Sequence, residues 1–364
     1  MKKTGQLLGI DIFSGAGGLS LGAEMAGIDV KCAVEVWPSA VKTYKRNHPD
    51  SRVINEDIAN VPPSQCLENE NDHVFVVMGG CPCQGFSSCN QAKSQNGRTM
   101  DNPKNHLFEH FLRFVLELKP DWFLFENVPG LVNMEHGEVI KHIVNRFEEL
   151  GYDVAEPTVL RADNYGVPQK RSRCFIIGNR VGIDFQFPAP VEAKITVNDA
   201  FEDLPELENG ANIESLPYRL GLDKCSEYAK LMRKNSTACT QNVVRLCGPL
   251  VIERYKYVRQ GHNWQDIPPE MMTNYTDTSR CHSCIYRRLK SDEPSIAIPN
   301  YTKINLIHPT QDRQLSIREA ARLQSFPDDF VFEGPASHID QQIGNAVPPL
   351  LAKAIFKQIL SYYE

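Results

Sequence analysis

No apolar run in the sequence approaches the roughly 20 residues that a helix needs to cross a bilayer, so the chain is not expected in a membrane. Its opening, Met1-Lys2-Lys3-Thr4-Gly5-Gln6, leads into only a short apolar stretch. That argues against a signal peptide and for a place inside the cell. A disulfide framework is missing too: the 11 cysteines are odd in number and follow no regular spacing, so reduced thiols are expected. A zinc site lacks its second half, because Cys281-His282-Ser283-Cys284 has only the scattered Cys225, Cys239 and Cys247 to complete it. No metal is expected. Positive charge is short overall, with a formal net charge of −6, which on its face excludes a polyanionic partner. The distribution reopens the question, because residues 212–303 hold 14 Lys/Arg against 9 Asp/Glu. In that region Arg219, Lys224, Lys230, Arg233, Lys234, Arg245, Arg254, Lys256 and Arg259 alternate with Tyr218, Tyr228, Tyr255 and Tyr257. Such a run ordinarily means a solvated helical face; the alternative is a surface for nucleic acid.

What is present is an alternation of short apolar runs and amphipathic segments over 364 residues, enough for two domains or for one domain with a large insertion. The organising stretch is Gly79-Gly80-Cys81-Pro82-Cys83-Gln84-Gly85-Phe86-Ser87. Before it, His73-Val74-Phe75-Val76-Val77-Met78 is rich in β-branched and aromatic residues and reads as a buried strand of a parallel sheet. Ligands of open α/β sheets bind beyond the carboxyl ends of strands, so a thiol placed there is a candidate nucleophile. The bland reading of Cys81 and Cys83 is that of small buried hydrophobes.

Upstream, Leu7 to Phe13 reads as the first strand and Ser14-Gly15-Ala16-Gly17-Gly18 as a tight turn. A helix follows from about Leu19 to Ala26, stopped by Gly27. The third glycine of the dinucleotide pattern is replaced by Ser20, which weakens the case for a pyrophosphate-bearing ligand. The strand Ile28 to Val34 ends at Glu35, where a carboxylate can accept from ribose hydroxyls. Trp37 can stack on an adenine, and Asp57, after a short strand at Val53-Ile54, can hold an adenine amino group. Each is otherwise an ordinary solvated acid or core aromatic.

Downstream, a polar loop at 88–105 and a helix from about His106 to Leu118 precede the strand Trp122 to Phe125, which delivers Glu126-Asn127-Val128 to the same sheet edge. A helix at Glu138 to Leu150 and one strand from Val154 to Leu160 lead to Lys170-Arg171-Ser172-Arg173, then to the apolar strand Cys174 to Gly178. Phe187-Pro188-Ala189-Pro190 marks a boundary. After the basic region, Ser316 caps an amphipathic helix that stops before Pro327, and Gln342-Ile343-Gly344-Asn345-Ala346-Val347-Pro348-Pro349 opens a last helix, Leu350 to Tyr362.

The run P-C-Q-G-F-S at 82–87, followed by E-N-V at 126–128, resembles the catalytic motifs of the cytosine-5 DNA methyltransferases of the prokaryotic restriction–modification type. The likeness continues in the family's order and covers about residues 7–186 and 310–360. It implies an α/β fold: a Rossmann-like S-adenosylmethionine-dependent methyltransferase domain made of residues 1–185 and 335–364, interrupted at 186–334 by a smaller, mostly irregular and β target-recognition domain. It implies Cys83 as the nucleophile, since Cys83 and not Cys81 matches the motif, with Glu126 as the acid and Arg171 and Arg173 near the base. The implied cofactor site comprises Phe13, Gly15, Gly17, Leu19, Glu35, Val36, Trp37, Asp57, Ile58, Pro82, Leu107, Asn345 and Val347. The loop at 88–105 becomes a mobile segment that closes over DNA.

The chemistry asks for these residue types. Carbon 5 of cytosine is a poor nucleophile until a thiolate adds at carbon 6, and the charge that builds toward N3 needs an acid beside it. Reaching both faces of the base requires flipping it out of the stack. The implied partner is double-stranded DNA, with no membrane. Monomeric action, a cognate restriction endonuclease as companion and a prokaryotic cytoplasm are further expectations. Within the basic region, Lys230 or Lys234 is expected on phosphate, and Arg287 or Arg288 on a guanine edge. Two rivals stand beside this reading: a relative that methylates transfer RNA, whose Cys-Phe-Thr signature is absent here, and a non-catalytic DNA-binding homologue.

Overall fold

The computed structural model describes residues 7–81, 107–273 and 281–364. They form two units: Met1–Tyr165, Ser172–Pro190 and Val347–Glu364 in the first, Gly166–Arg171 and Val191–Ala346 in the second.

The first unit is built on strands β1 (Leu8–Ile12), β2 (Asp29–Val34), β3 (Arg52–Ile54), β4 (Val74–Gly80), β5 (Trp122–Asn127), β6 (Asp153–Val154), β7 (Thr158–Arg161) and, after the two-residue strand β8 (Gln169–Lys170) of the second unit, β9 (Ser172–Asn179). They lie in the order β3-β2-β1-β4-β5-β9-β6, with β7 also on β9. The strands from β3 to β5 are parallel and β9 runs antiparallel to β5. The central strands are buried along their length, which is why they read as continuous apolar runs rather than alternating ones. Successive residues point to opposite faces. On β5, Phe123 and Phe125 meet Phe111 of α3 (Leu107–Leu118) and Phe147 of α4 (Glu138–Glu149), with Phe123 stacked on Phe147 at 3.9 Å. Trp122, on the other face, donates from its indole to the Tyr363 hydroxyl at 2.7 Å. That tyrosine follows α10 (Pro349–Ser361), which packs on α1 (Gly18–Ala26). One further helix, α2 (Pro38–Asn47), joins β2 to β3.

Two local readings change. The strand expected from Val154 to Leu160 is two strands, both antiparallel to β9. Pro157 between them has no N–H to give to a ladder. The segment expected to open the last helix instead ends another, α9 (Ala336–Asn345), and α10 starts at Pro349.

The second unit holds short elements: α5 (Val197–Phe201), β10 (Asn212–Leu216), α6 (Glu227–Met232), β11 (Cys239–Val243), α7 (Pro249–Tyr257), β12 (Ser295–Ile296), α8 (Ile317–Leu323) and α9. The ribbon β10-β11 is antiparallel, and β12 pairs with β8. Ser316 and Glu319 form a reciprocal capping box at the start of α8, as the S-x-x-E spacing predicts.

Candidate active site

The order of strands reverses between β1 and β4, which leaves a crevice beyond their carboxyl ends. Both strands are shaped for it. Gly79 of β4 lies so close to β1 that a Cβ there would sit 2.2 Å from the Ile12 carbonyl oxygen, and no larger residue fits. Register then pairs Gly80 with Glu126 across β4 and β5. A Cβ on Gly80 would stand 2.8 Å from Glu126 Oε2, so the absence of a side chain makes room for the carboxylate beside the chain that continues to Cys81.

Glu126 is buried, and its Oε1 lies 2.8 Å from Nε of Arg173 on β9. Burial draws the Arg173 guanidinium below its usual range, while the charge and hydrogen bond of Glu126 oppose the shift. The neighbouring Cys174 thiol is pushed up to about 12, by burial first and by the charge of Glu126 second. Asn127 donates its side-chain amide to the Cys81 carbonyl at 3.4 Å. Cys81 itself is 5% exposed and packed into the apolar core, the environment of an inert thiol. Cys83 and Pro82 lie outside the described residues, as does the loop at 88–105.

Arg171, expected beside Arg173, belongs to the second unit. It is buried there, donating to the Ile298 carbonyl at 3.2 Å and the Gly344 carbonyl at 2.7 Å.

Most of the expected cofactor residues share the edge of β1 and β2. Phe13, Gly15 and Gly17 all take positive φ, turning the chain sharply from β1 into α1. Glu35 fixes that turn, its Oε2 accepting from the Gly15 N–H at 2.8 Å and its Oε1 from the Trp37 N–H at 2.7 Å. Burial raises the Glu35 carboxyl above the usual range against those backbone donors. Val36 stands in solvent, 61% exposed, beside the half-buried Trp37. Asp57 is exposed and caps a short turn through the Ala59 N–H at 2.9 Å, leaving Ile58 buried behind it. Leu19 and Val347 are buried, and Leu107 and Phe13 rest half-buried against the core. Asn345 ends α9 in the second unit, exposed, and accepts from Gln341 at 2.6 Å.

Several positioning residues escaped the sequence reading. Asn55 donates to the carbonyls of Glu35 and Val36. Arg113 of α3 donates to the carbonyls of Ile58 and Val61, tying the Asp57 turn to the helix. Asp11, fully buried on β1, accepts from Ser20, whose hydroxyl also meets Tyr44 at 2.7 Å. Ser20, the departure from the third glycine, was the available signal for that chain of groups.

In the second unit, Arg288 corrects one expectation. It is 6% exposed and donates to the carbonyls of Tyr255, Val258, His308 and Gln311 and to Asp312, so its donors cannot read a base. Arg287 is half-exposed, and Lys230 is paired with Glu227 on one helix turn. Among the described residues, no three Cys, His, Asp or Glu side chains gather as metal ligands, and no helix is long and apolar enough to cross a membrane.

An open sheet with a glycine turn after its first strand, an acid after its second and a buried Glu–Arg pair at the same edge defines a Rossmann-like methyltransferase. The sequence match makes the class specific. Residues 7–361 match the family described as C-5 cytosine-specific DNA methylase, and the chain belongs to that family of DNA-methylating enzymes. It is 38% identical to the type II methyltransferase M1.HphI of Haemophilus parahaemolyticus, over 96% of this chain and 86% of that one. It is 35% identical to M.XorII of Xanthomonas oryzae pv. oryzae, over 97% of this chain and 84% of that one. A solved structure of a candidate DNA modification methyltransferase encoded within an E. coli prophage superposes with a TM-score of 0.79 at 29% identity, covering 98% of this chain and 99% of that one.

Proposed function

We propose that the protein transfers a methyl group from S-adenosylmethionine to carbon 5 of a cytosine flipped out of a short, specific duplex DNA sequence, through a covalent adduct on Cys83. The observation that carries this is the register of β4 and β5, which sets the Glu126–Arg173 pair beside the strand end that runs into the P-C-Q motif. Bound S-adenosylmethionine supplies an electrophilic methyl group. The residues fit that ligand: Glu35 offers a half-buried carboxylate to ribose hydroxyls, Asp57 an exposed one to the adenine, and Val36 an apolar ledge. Phe13, Gly15, Gly17, Trp37, Ile58, Leu107, Pro82, Asn345 and Val347 complete the proposed binding set.

The Cys83 thiolate adds to carbon 6 and carries electrons into the ring. Glu126 acts in its protonated form, donating to the ring at N3, where negative charge builds, and Arg173 holds its carboxyl group in place. Carbon 5 takes the methyl group as its bond to the sulfonium sulfur breaks and leaves a neutral thioether; the carbon 5 proton then passes to water, and the freed electron pair re-forms the ring double bond as the Cys83 thiolate leaves carbon 6. Residues 186–334 are proposed to recognise the DNA. The type II names of the relatives support a cognate restriction endonuclease in the same prokaryotic cytoplasm; monomeric action is the simplest arrangement for this chemistry.

Tritiated methyl transfer is expected into duplex DNA and not into RNA. Cys83→Ser should abolish transfer while leaving DNA binding intact, and Cys81→Ser should be far milder. Duplex DNA carrying 5-fluorocytosine should trap a covalent complex, because fluorine cannot leave as a proton does. An adduct on a peptide lacking Cys83 would overturn the assignment.

A further inference from the structure

Leu246 is the most exposed large apolar side chain among the described residues, at 75%. It sits with the exposed Arg245 in the short loop between β11 and α7, and that loop is anchored on both sides. Before it, the Val244 N–H donates to the Ala211 carbonyl at 2.8 Å, extending the β10-β11 ladder by one bond. After it, Asn209 clamps Cys247 twice: its amide donates to the Cys247 carbonyl at 2.9 Å and its oxygen accepts the Cys247 N–H at 2.9 Å. The Cys247 thiol also meets the hydroxyl of the buried Tyr255 at 3.4 Å. Beneath the tip is Gly210, at φ +79°, where a Cβ would lie 2.7 Å from the Leu246 Cδ1 atom. The leucine therefore rests across bare backbone, with its outer face in water. Two further exposed apolar residues lie nearby in the fold, Leu250 at the start of α7 and Ile213 on β10, the strand paired with β11.

Leaving this much apolar surface on a fixed loop tip has a solvation cost without a partner. Charge says which partner. The other arginines of the basic region before Arg280 are engaged: Arg219 with Glu206, Arg233 with Asp203, Arg254 with the Met271 carbonyl and Tyr286, and Arg259 with Asp266. Arg245 makes no hydrogen bond or close ion pair among the described residues; its charge acts on Asp340 only through space. A cation and an apolar side chain displayed together on a rigid tip match a duplex, whose phosphates attract the one and whose base steps admit the other as a wedge.

Resting on the DNA-methylating reading above, we propose that Arg245 and Leu246 form a DNA-contacting tip, with Arg245 on a backbone phosphate and Leu246 pressed between or against bases near the target. Unmethylated plasmid from a host without cytosine methylation is first methylated with the native protein, and its sites are mapped by bisulfite sequencing. A duplex of about 30 base pairs carrying a mapped site, with 2-aminopurine at the target position, then reports binding and base extrusion. Leu246→Ala should weaken binding roughly tenfold or more and reduce the fluorescence rise, with the salt slope unchanged. Arg245→Ala should lower the slope of log affinity against log salt by about one unit. Leu116→Ala, at a surface-displayed leucine of α3 with 53% exposure, should change neither. Native-like binding and fluorescence in both Leu246→Ala and Leu246→Glu would overturn the proposal while leaving the parent reading intact. A native protein that transfers no methyl group to the plasmid would overturn the parent reading and this one with it. A change in oligomeric state of Leu246→Glu with unaltered DNA affinity would assign the tip to a protein contact and also overturn it.

Discussion

The sheet of the first unit closes over Ile10, Ile12, Val77, Phe123 and Ile176, whereas the second unit buries Arg254, Arg313, Arg318 and Arg322 among its largest enclosed side chains. It also encloses apolar groups, one gathered around Tyr255, Ile267, Tyr286 and Ile307 and another made by Phe326, Phe330 and Phe332. Arg322 and Arg313 are satisfied by direction as well as charge. Arg322 donates to Asp328 at 2.9 and 2.6 Å, to Asp203 and to the Ala200 carbonyl. Arg313 grips Glu319 with two bonds of 2.8 and 2.7 Å. In this unit a network of paired charges is enclosed alongside the apolar side chains, where the sheet of the first unit encloses mainly apolar residues. The lesson is that a local surplus of cations does not by itself locate a nucleic-acid surface, because Arg254 and Arg288 of the basic region are interior building material like the arginines that follow it.

Breaking that network tests the comparison most severely. Arg322→Ala leaves Asp203 and Asp328 buried without their main counter-charge, a change expected to cost about 3–5 kcal/mol. Denaturant unfolding followed by tryptophan fluorescence and circular dichroism measures it. A loss below about 1 kcal/mol would mean that the second unit is held by something other than these pairs.

A smaller effect separates the two units by ligand. Glu35→Ala removes a half-buried acceptor from the glycine turn of the first unit. It should weaken S-adenosylmethionine binding by about 1.5–3 kcal/mol, a factor of roughly ten to a hundred, while DNA affinity measured without cofactor stays as in the native protein. Calorimetry showing equal cofactor affinity would place the site elsewhere on the sheet edge.

The units also differed in how far their sequence could be read. In the first, strands β1, β2, β4, β5 and β9 announce themselves because a strand buried on both faces must be apolar throughout, and Gly27 ends α1 in the left-handed conformation its position suggested. The Glu126–Arg173 pair was legible only through motif likeness, since nothing local to either residue dictates that β5 and β9 lie side by side. In the second unit, Arg288 looked like a base reader because a cation in a polar, tyrosine-rich stretch carries no mark of burial. Its five acceptors lie 20 to 33 residues away along the chain, Tyr255 and Val258 before it and His308, Gln311 and Asp312 after it. Asn345 was read as opening α10 because the prolines after it are good helix starters, yet the turn before them completes α9.

The pH dependence gives the most specific test, because the units carry buried titrating groups of opposite sense. Burial raises the Asp11 carboxyl on β1 from 3.8 to about 8, against the Ser20 hydrogen bond and with help from the charges of Glu35 and Glu24. In the second unit, burial pushes His308 down from 6.5 to about 4, with Arg313, Arg288 and Arg219 adding to it and Glu319 opposing. Its geometry is that of a neutral ring, with Nδ1 accepting the N–H groups of Thr310 and Gln311. The folded protein thus binds more protons than the unfolded chain at Asp11, and the stability this supplies is lost as pH rises from about 4 to about 8. At His308 the folded protein binds fewer, and stability is lost as pH falls from about 6.5 to about 4. Asp11→Asn keeps an acceptor for Ser20 and should gain melting temperature over the native protein progressively from pH 4 to 8. His308→Gln should gain relative to the native protein in the other direction, from pH 6.5 down to 4. A series of melting curves across this range, with each variant plotted as its difference from the native protein, checks both. Two differences that slope the same way would show that the contrast in buried chemistry does not govern how the units respond to acid.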